Sequence, residues 1–444
     1  MKHFITILAM FSFLLSFGQW SYKYGGTLHD SGSSIQKTND GGYIITGVTN
    51  SVKDINWGLS SGNIWLLKLN YQGDTVWTKN FGGWNYEFAS SVQQTYDGGY
   101  IIVGTTSSYG FGYRDIWLLK TNAQGELSWK KFFGSVWFEE GTSVKQTPDH
   151  GYIVSGSRTT SQKSQADAWL IRTDSLGNKL WDKSHGGWNG SCIYDLQITA
   201  DSGFISTGFS QSFGNGSADL WIFKTNSQGD TLWNKAIGGD NNDFGQSIKQ
   251  TNDGGYIVTG FTSSYGKGMY DIWLLKTNTY GDTVWTKTYG GANDDYGYSA
   301  QQTNDGGYII TGKTSSYGNG KEDMWLLKTN SFGDTLWTKT FGGPGMDAGY
   351  SVLKTDDGGY IISGEYQVNN DKKYIKSDVW VIKTDSLGDT TAQVTSYLEE
   401  NFTPNEIDIF PNPFSNITTI ELPNNDSYIL SVYDITGNIV KTEQ

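Results

Sequence analysis

The chain has 444 residues, of which 15% are aromatic and 58 are glycine, against 6 prolines, a mixture that suits many short strands joined by tight turns. Its formal net charge of −13 and the lack of any cluster of Lys and Arg argue against nucleic acid or an anionic membrane as the main partner. Cys192 is the only cysteine, which excludes an intrachain disulfide and a cysteine-based metal site.

Residues 1–19 have the pattern of a secretory signal peptide. Lys2 is followed by an apolar run over residues 4–17, which is the order found in such peptides and is too short to cross a bilayer. No second apolar run is long enough to cross one. We therefore expect an exported chain without a transmembrane segment, whose mature part begins near Trp20.

One cassette recurs seven times along the rest of the chain. It is built around the phrase Asp-Gly-Gly-Tyr-Ile-Ile-x-Gly, and its spacing is 57 residues once and then 52 residues five times. Self-similarity at such a period is typical of solenoids and propellers. The aromatic residue of the phrase lies at Tyr43, Tyr100, Tyr152, Phe204, Tyr256, Tyr308 and Tyr360.

Each cassette predicts four strands, as the copy at residues 299–343 illustrates. Period-2 alternation between turn signals predicts strand a at 299–303, strand b at 308–314, strand c at 323–328 and strand d at 335–341. A single four-stranded sheet cannot bury both of its faces, so it needs identical neighbours. Radial stacking of seven such sheets predicts an all-β, seven-bladed β-propeller, with a solenoid as the alternative.

The two ends of the repeat region complement each other. The strand-d pattern Trp-x-Lys-x-aromatic-Gly-Gly is missing from the last cassette, which reads Thr-Thr-Ala-Gln at residues 390–393, and a copy of it stands at residues 20–26. We therefore predict that residues 20–390 form a propeller whose last blade is closed by the N-terminal strand. Together with Trp20, the tryptophans expected to pack between blades are Trp65, Trp77, Trp117, Trp129, Trp169, Trp181, Trp221, Trp233, Trp273, Trp285, Trp325, Trp337 and Trp380.

The layout resembles kelch-type propellers, whose repeat is about 50 residues long and ends in an outer-strand tryptophan. Kelch repeats carry paired glycines after strand b, whereas this chain has a single glycine there, such as Gly312, and places its glycine pairs in turns. The resemblance implies the architecture and no functional residue.

A separate module follows the repeats. Residues 391–406 read as a linker, and residues 407–444 resemble the type A sorting domain of the type IX secretion system. A Pro-Asn-Pro after a β run and a Tyr-Asp-x-x-Gly hairpin carry the resemblance. These sorting residues are Pro411, Asn412, Pro413, Tyr433, Asp434 and Gly437.

The resemblance implies a small β-sandwich and export in two steps, first by the signal peptide and then by the type IX secretion machinery. The passenger of that family is released or attached at the outer-membrane cell surface. The chain stops at Gln444, before the Leu-x-x-Gly-x-Tyr motif and basic last strand of the family. We interpret the sequence as a truncated reading frame with a partial sorting domain.

No catalytic constellation stands out. His29 lies alone in a predicted loop, and no nucleophile elbow, phosphate-binding loop or paired histidine ligands occur. Carboxylates recur before strand a, and we expect them to hold loop backbone, because Asp readily accepts bonds from nearby N–H groups. We expect no cofactor, with calcium as the alternative. The recurring carboxylates are Asp30, Glu87, Glu139, Asp243, Asp295 and Asp347, with Ser191 as the exception.

Four tryptophans lie outside the repeat pattern. They occupy b–c or d–a connections, which share one face of a propeller, and their neighbours include Tyr86, Glu87, Phe138 and Glu139. Exposed aromatic rings beside polar groups suit sugar binding, so this face is a candidate site for a glycan or a protein. The alternative is that the rings cover loop backbone. The four are Trp57, Trp84, Trp137 and Trp188.

These observations favour a secreted or surface-displayed, monomeric binding propeller without catalytic activity. One alternative is a hydrolase or lyase acting on polysaccharide, with Glu87 and Glu139 as acid and base. Such a pair needs a separation of about 5 to 10 Å, which equivalent positions on adjacent blades do not guarantee. A second alternative is a structural surface or adhesion protein.

Overall fold

The computed structural model describes residues 18–51, 53–54, 58–59, 62–160, 163–368 and 376–390, together with four short strands after residue 407. Two units divide the chain, Met1–Thr391 and Ala392–Gln444. Throughout these described segments the secondary structure is β, and no helix there is long and apolar enough to cross a membrane.

The first unit contains seven antiparallel four-stranded sheets, which confirms the predicted all-β, seven-bladed propeller. Strands a to d of blades 1 to 3 are Asp30–Lys37, Tyr43–Thr49, Asn63–Leu69 and Thr75–Phe81; Glu87–Gln94, Tyr100–Thr106, Asp115–Thr121 and Leu127–Phe133; and Glu139–Gln146, Tyr152–Thr160, Lys163–Thr173 and Lys179–His185. Those of blades 4 to 6 are Ser191–Ile198, Phe204–Ser210, Asp219–Thr225 and Thr231–Ile237; Asp243–Gln250, Tyr256–Thr262, Asp271–Thr277 and Thr283–Tyr289; and Asp295–Gln302, Tyr308–Thr314, Asp323–Thr329 and Thr335–Phe341.

Blade 7 combines the two ends of the repeat region. Its first three strands are Ala348–Lys354, Tyr360–Gln367 and Ser377–Thr384, and its fourth is Trp20–Tyr24. The N-terminal strand runs antiparallel to strand c, with Trp20 opposite Lys383 and Tyr24 opposite Val379. The predicted closure by the N-terminal strand is therefore confirmed.

Strand a begins earlier than the sequence pattern predicts. In blade 6 it spans Asp295–Gln302 instead of 299–303, and the register shifts between Gly297 and Ser299. A β-bulge inserts one extra residue and reverses the inside–outside alternation. Alternation read from Ser299 onward therefore misses the part of the strand before the bulge. The same shift occurs in strand a of every blade.

The hydrophobic core lies between blades. Ile44 and Leu66 of blade 1, for example, pack in one buried cluster with Val92 and Trp117 of blade 2. Burial of such side chains contributes about 25 cal/mol per Å² of apolar surface. Strand-d tryptophans add an edge-on contact with the aromatic residue of the next blade, as Trp77 does with Tyr100 at 5.8 Å between ring centroids. The predicted packing role of these tryptophans is confirmed.

Two smaller elements complete the described structure. The first b–c connection, which holds the five extra residues, pairs Lys53–Asp54 with Gly58–Leu59. In the second unit, Asp408–Phe410 pairs with Thr419–Glu421, and Leu430–Tyr433 pairs with Ile439–Glu443. Residues 1–17 of the predicted signal peptide lie outside the described residues, as do the sorting residues Pro411, Asn412, Pro413, Asp434 and Gly437.

Candidate ligand-binding face

The antiparallel order of the strands brings the d–a and b–c connections to one end of every blade, here called the upper face. The two kinds of connection bond to each other. The backbone N–H of Asn85, in the d–a connection that enters blade 2, donates to Ser108 Oγ at 2.7 Å. Asn189 donates in the same way to Ser212 Oγ at 2.8 Å at the entry to blade 4. These bonds hold the loops in place over the blades.

Three of the four surplus tryptophans lie in consecutive d–a connections on this face. Trp84 is 67% exposed, Trp137 is 38% exposed and Trp188 is 84% exposed. Trp57 lies outside the described residues. Such exposure is unusual for the largest apolar side chain, and a group of exposed apolar residues marks a surface that contacts something else.

Glu87 and Glu139 lie beneath the loops and are not exposed on the face. Each is buried and accepts a bond from the N–H four residues earlier, Gly83 for Glu87 at 2.9 Å and Ser135 for Glu139 at 3.0 Å. Burial raises the pKa of Glu139, and the charge of the neighbouring Asp115 acts in the same direction. The same bond occurs at Asp30, Asp243, Asp295 and Asp347. The predicted role of these carboxylates as loop supports is confirmed.

Phe138, the residue after Trp137, belongs to an aromatic pair at the junction of blades 2 and 3. Phe138 stacks on Tyr113, with ring centroids 5.0 Å apart and planes 9° apart. Both rings are about half exposed or more, as is Phe111 on the same b–c connection. Tyr86 is different, because it is half-buried and packs on Phe88 at 5.8 Å.

In most blades an aromatic side chain covers the buried strand-c tryptophan from above. The ring of Tyr109 lies 5.4 Å from that of Trp117, and its hydroxyl donates to the carbonyl oxygen of Gly82 at 3.0 Å. Blades 5 and 6 repeat both contacts, and Phe213 in blade 4 repeats the ring contact. The equivalent pairs are Phe213 with Trp221, Tyr265 with Trp273 and Tyr317 with Trp325.

Blade 3 has no such aromatic residue. Residues 161–165, which span the b–c turn and the start of strand c, read Ser-Gln-Lys-Ser-Gln. A cleft of about 760 Å³ opens at this place between blades 2 and 3, lined by Trp137, Gly134 and Trp169 among others. Gly134 is the counterpart of Gly82, whose carbonyl bonds the tyrosine in blade 2. The cleft therefore occupies the position of the missing ring. Its other lining residues are Phe111, Phe132, Phe133, Ser135, Val136, Glu139, Arg158, Thr159, Lys179 and Asp182.

Charged groups form one wall of this cleft. The guanidinium of Arg158 lies 5.1 Å from the ring centroid of Trp169 and pairs with Asp182 at 3.2 Å. Trp169 Nε1 donates to the same carboxylate at 2.9 Å, and Lys179 pairs with it at 2.8 Å. Burial acts to raise the pKa of Asp182, but the bonds from Lys179 and Trp169 outweigh it and lower that pKa. The cleft thus presents aromatic faces beside fixed donors and an ionised acceptor.

Sequence reasoning treated His29 as isolated in a loop, and this was wrong. His29 Nδ1 lies 2.5 Å from Ser377 Oγ and 3.3 Å from Glu365 Oε1, both on blade 7. The residues are more than 300 positions apart, so only ring closure brings them together. Among the described residues no group of three or more His, Cys, Asp or Glu side chains is close enough to hold a metal ion.

Comparisons with known proteins identify the end of the chain. The secretion system C-terminal sorting domain family matches residues 408–444. No curated protein matches the sequence significantly. Among solved structures, Sqt1 from Chaetomium thermophilum is 12% identical, with 77% of this chain and 83% of that chain covered and a TM-score of 0.44.

Two further structures are similar at the same low level. PorZ, described as a bacterial surface component of the type IX secretion system of Porphyromonas gingivalis, is 12% identical over 93% of this chain and 53% of that chain, with a TM-score of 0.45. Puromycin hydrolase is 10% identical over 82% of this chain and 55% of that chain, with a TM-score of 0.48. The chain is a seven-bladed β-propeller with a C-terminal type IX secretion system sorting domain, and this domain directs it to the cell surface or out of the cell.

Proposed function

We propose that the protein is a surface-displayed or secreted binding module without catalytic activity that holds a glycan on its upper face. The binding site is centred on the cleft between blades 2 and 3, and Trp84 and Trp188 extend it along the neighbouring d–a connections. Aromatic rings pack against the apolar C–H patches of sugars, while fixed polar groups bond the hydroxyls.

The observation that carries this proposal is the missing aromatic ring of blade 3. The other described copies of this junction use Tyr or Phe to cover the strand-c tryptophan, whereas blade 3 leaves a cleft there, with Trp137 at its rim. Blade 3 has lost this aromatic ring, and the guanidinium of Arg158 lies against Trp169 instead. A bound ligand would supply the missing contacts.

The wall of the cleft supports a hydroxyl-rich ligand. Arg158 and Lys179 offer N–H donors and Asp182 offers carboxylate oxygens, all beside Trp169. The burial of Glu87 and Glu139, and their bonds to loop backbone, give no support to the alternative in which these two residues act as acid and base. A protein ligand is the other outcome that the experiment below can reveal.

A glycan array of the purified protein tests the proposal. We expect binding to a set of related glycans and at least a tenfold loss of affinity, or about 1.4 kcal/mol, in Trp137→Ala. The loss should be smaller in Trp84→Ala and Trp188→Ala, because these residues lie outside the cleft. Arg158→Met should also weaken binding, since it removes donors without removing the aromatic wall.

The matched control is Phe332→Ala. Phe332 is 69% exposed, close to the exposure of Trp84, but it lies in a c–d turn at the opposite end of blade 6. Glycan binding that survives in Trp137→Ala and Arg158→Met would refute the site. If no glycan binds but a protein binds in a way that depends on Trp137, the ligand is a protein and not a glycan. Release of sugar from polysaccharide would refute the non-catalytic role.

A further inference from the structure

The central channel of the propeller differs from the upper face in its chemistry. Strand a of all seven blades lines a cavity of about 530 Å³. After the bulge, the repeat places a serine on the channel side of six blades. Two positions further along strand a, the seven blades carry Gln in four cases, Lys in two and Leu in one. The serines are Ser34, Ser91, Ser143, Ser247, Ser299 and Ser351.

Blade 4 breaks the ring of serines with Asp195. The blades on either side of it are the two that carry lysine instead of glutamine, Lys145 on blade 3 and Lys249 on blade 5. One carboxylate and two ammonium groups therefore meet at one level of a channel whose equivalent positions in the other blades are uncharged. The three positions are 50 or more residues apart in the sequence, and nothing in the repeat requires charge at them.

Donors already surround the Asp195 carboxylate. Its Oδ2 accepts from Lys249 Nζ at 2.8 Å and from the N–H of Ile248 at 3.1 Å. Its Oδ1 accepts from the N–H of Leu196 at 2.8 Å and from Ser143 Oγ at 3.2 Å. Burial acts to raise the pKa of Asp195, but the charges of Lys249 and Lys145 outweigh it and lower that pKa. The carboxylate is ionised and fully bonded.

Lys145 has a different environment. Within the part of the chain that the structure describes, its ammonium has no hydrogen bond or salt bridge, although it lines the channel cavity. The charged groups that face it are Asp195 and Lys249. Burial lowers the pKa of Lys145 to about 8, and the charge of Lys249 adds to this effect while Asp195 opposes it. One positive charge at this level of the channel thus has no partner of its own.

We propose that the channel binds a small oxyanion between Lys145 and Lys249. The ligand is a carboxylate, sulfate or phosphate group on a molecule small enough for the channel, such as an acidic monosaccharide. The two ammonium groups supply the donors, because the hydroxyls of Ser143 and Ser247 already donate to Asp195. A charge-assisted bond to an oxyanion is stronger than a neutral one, and low local polarity increases the attraction further. This site does not depend on the glycan cleft of the upper face.

Titration calorimetry of the full chain with glucuronate, inorganic sulfate, inorganic phosphate and neutral glucose tests the proposal. We expect at least one of the three anions to bind and glucose not to bind in the channel. Binding should weaken as the pH rises through about 8, because Lys145 then loses its charge. Well below pH 8, binding should exchange few protons with the buffer, whereas near pH 8 the protein should take up protons on binding. Titrations in two buffers of different ionisation enthalpy measure this uptake.

Lys145→Met should reduce the affinity at least tenfold, whereas the exposed Lys267→Met should leave it unchanged. Lys145→Gln is the second variant if the methionine variant does not fold, since glutamine stands at this position in four blades. The anions that bind show whether the site recognises a carboxylate, a sulfate or a phosphate group. No binding of any anion at concentrations up to about 10 mM, or equal affinity in Lys145→Gln and the unmodified chain, would overturn the proposal.

Discussion

At the residue scale, a glycine in each c–d turn permits the close contact between blades. Gly281 has a φ of +78°, and an added Cβ would lie 2.5 Å from Cζ3 of Trp233 on the preceding blade. Trp233 in turn packs on Tyr256 at 6.1 Å. Glycine is thus required here both for its positive φ and for the space that the tryptophan occupies.

We expect Gly281→Ala to lower the free energy of unfolding by about 3 kcal/mol, because the strain of a left-handed backbone adds to the clash with Trp233. Urea unfolding followed by tryptophan fluorescence measures the loss. Gly306→Ala is the matched control, since its φ is +80° but the nearest atom to its added Cβ is 3.9 Å away. That variant should lose only about 1 to 2 kcal/mol. Equal losses would show that the tryptophan contact contributes nothing.

At the element scale, most junctions between blades bury two carboxyl groups side by side. A Cβ added at Gly238 would lie 2.2 Å from Asp219 Oδ1 and 2.6 Å from Asp243 Oδ2, so both oxygens approach the same point. Burial raises the pKa of Asp219, and the charge of Asp243 adds to the rise. Two junctions avoid the pair, because Asn63 and Ser191 replace one member each. Asn63 shows that an amide fits this position.

We expect Asp219→Asn to raise the free energy of unfolding at pH 7 by about 1 kcal/mol, since an amide relieves the repulsion and adds a donor. The folded pKa of Asp219 lies above its unfolded value, so its contribution to stability is present below the unfolded pKa and is lost as the pH rises through the folded value. The gain from the substitution should therefore disappear near pH 3. Urea unfolding at pH 3 and pH 7 would detect the difference.

Asp253→Asn serves as the control of opposite sign. Burial acts to raise the pKa of Asp253, but bonds from Thr251 and Lys276 outweigh it and lower the pKa to about 2. Its contribution is present above the unfolded pKa and is lost as the pH falls toward 2. This variant should be less stable than the parent at pH 7. A loss of stability in both variants at pH 7 would contradict the repulsion assigned to Asp219.

At the scale of the whole molecule, ring closure depends on contacts between the two ends of the repeat region. Trp20 is only 4% exposed and packs on Tyr43 of blade 1 at 6.4 Å, as strand-d tryptophans do elsewhere. On the inner side, His29 of blade 1 bonds to Glu365 and Ser377 of blade 7. Closure therefore has an apolar part at the rim and a polar part near the channel.

Deletion of residues 20–24 tests the apolar part. Burying one tryptophan contributes about 4 to 6 kcal/mol of gross transfer energy, and the deletion also exposes the edge of blade 7. We expect a loss of several kcal/mol in stability and a broader unfolding transition, measured by urea and by calorimetry. Deletion of residues 392–444 is the control and should leave the propeller transition unchanged. An unaltered transition after removal of residues 20–24 would refute the closing role of the strand.

His29→Gln tests the polar part. The bond to Glu365 raises the pKa of His29, so the stability that it contributes is present below the unfolded pKa of about 6.5 and is lost as the pH rises through the folded value. We expect the unmodified protein to lose about 1 kcal/mol between pH 6 and pH 9 through this group, and His29→Gln to lose much less. His150→Asn, in the a–b turn of blade 3, should keep the full pH dependence. The same pH dependence in both variants would exclude His29 as its source.

Much of the candidate face followed from position in the repeat. Subtracting the repeat tryptophans identified Trp84, Trp137 and Trp188, and strand order placed their connections on one face. The cleft itself did not follow, because it depends on Gly134 of one blade, Trp169 of the next and the lack of a ring between them. One signal was present in the sequence. Residues 161–165, at the b–c turn and the start of strand c, lack the aromatic residue found at Tyr109, Phe213, Tyr265 and Tyr317.

The sequence alone determined the number of blades, the order of their strands and the strand that closes the ring, because hydrophobic alternation and turn residues are local and repeat at a fixed period. Tertiary structure decided which departures from the repeat meet. Arg158 reaches Trp169, His29 reaches Glu365, and Lys145 and Lys249 flank Asp195 only after the blades close into a ring. Such groups lie too far apart in the chain for any local pattern to relate them. The strength of their electrostatic interactions also depends on the burial that the ring creates.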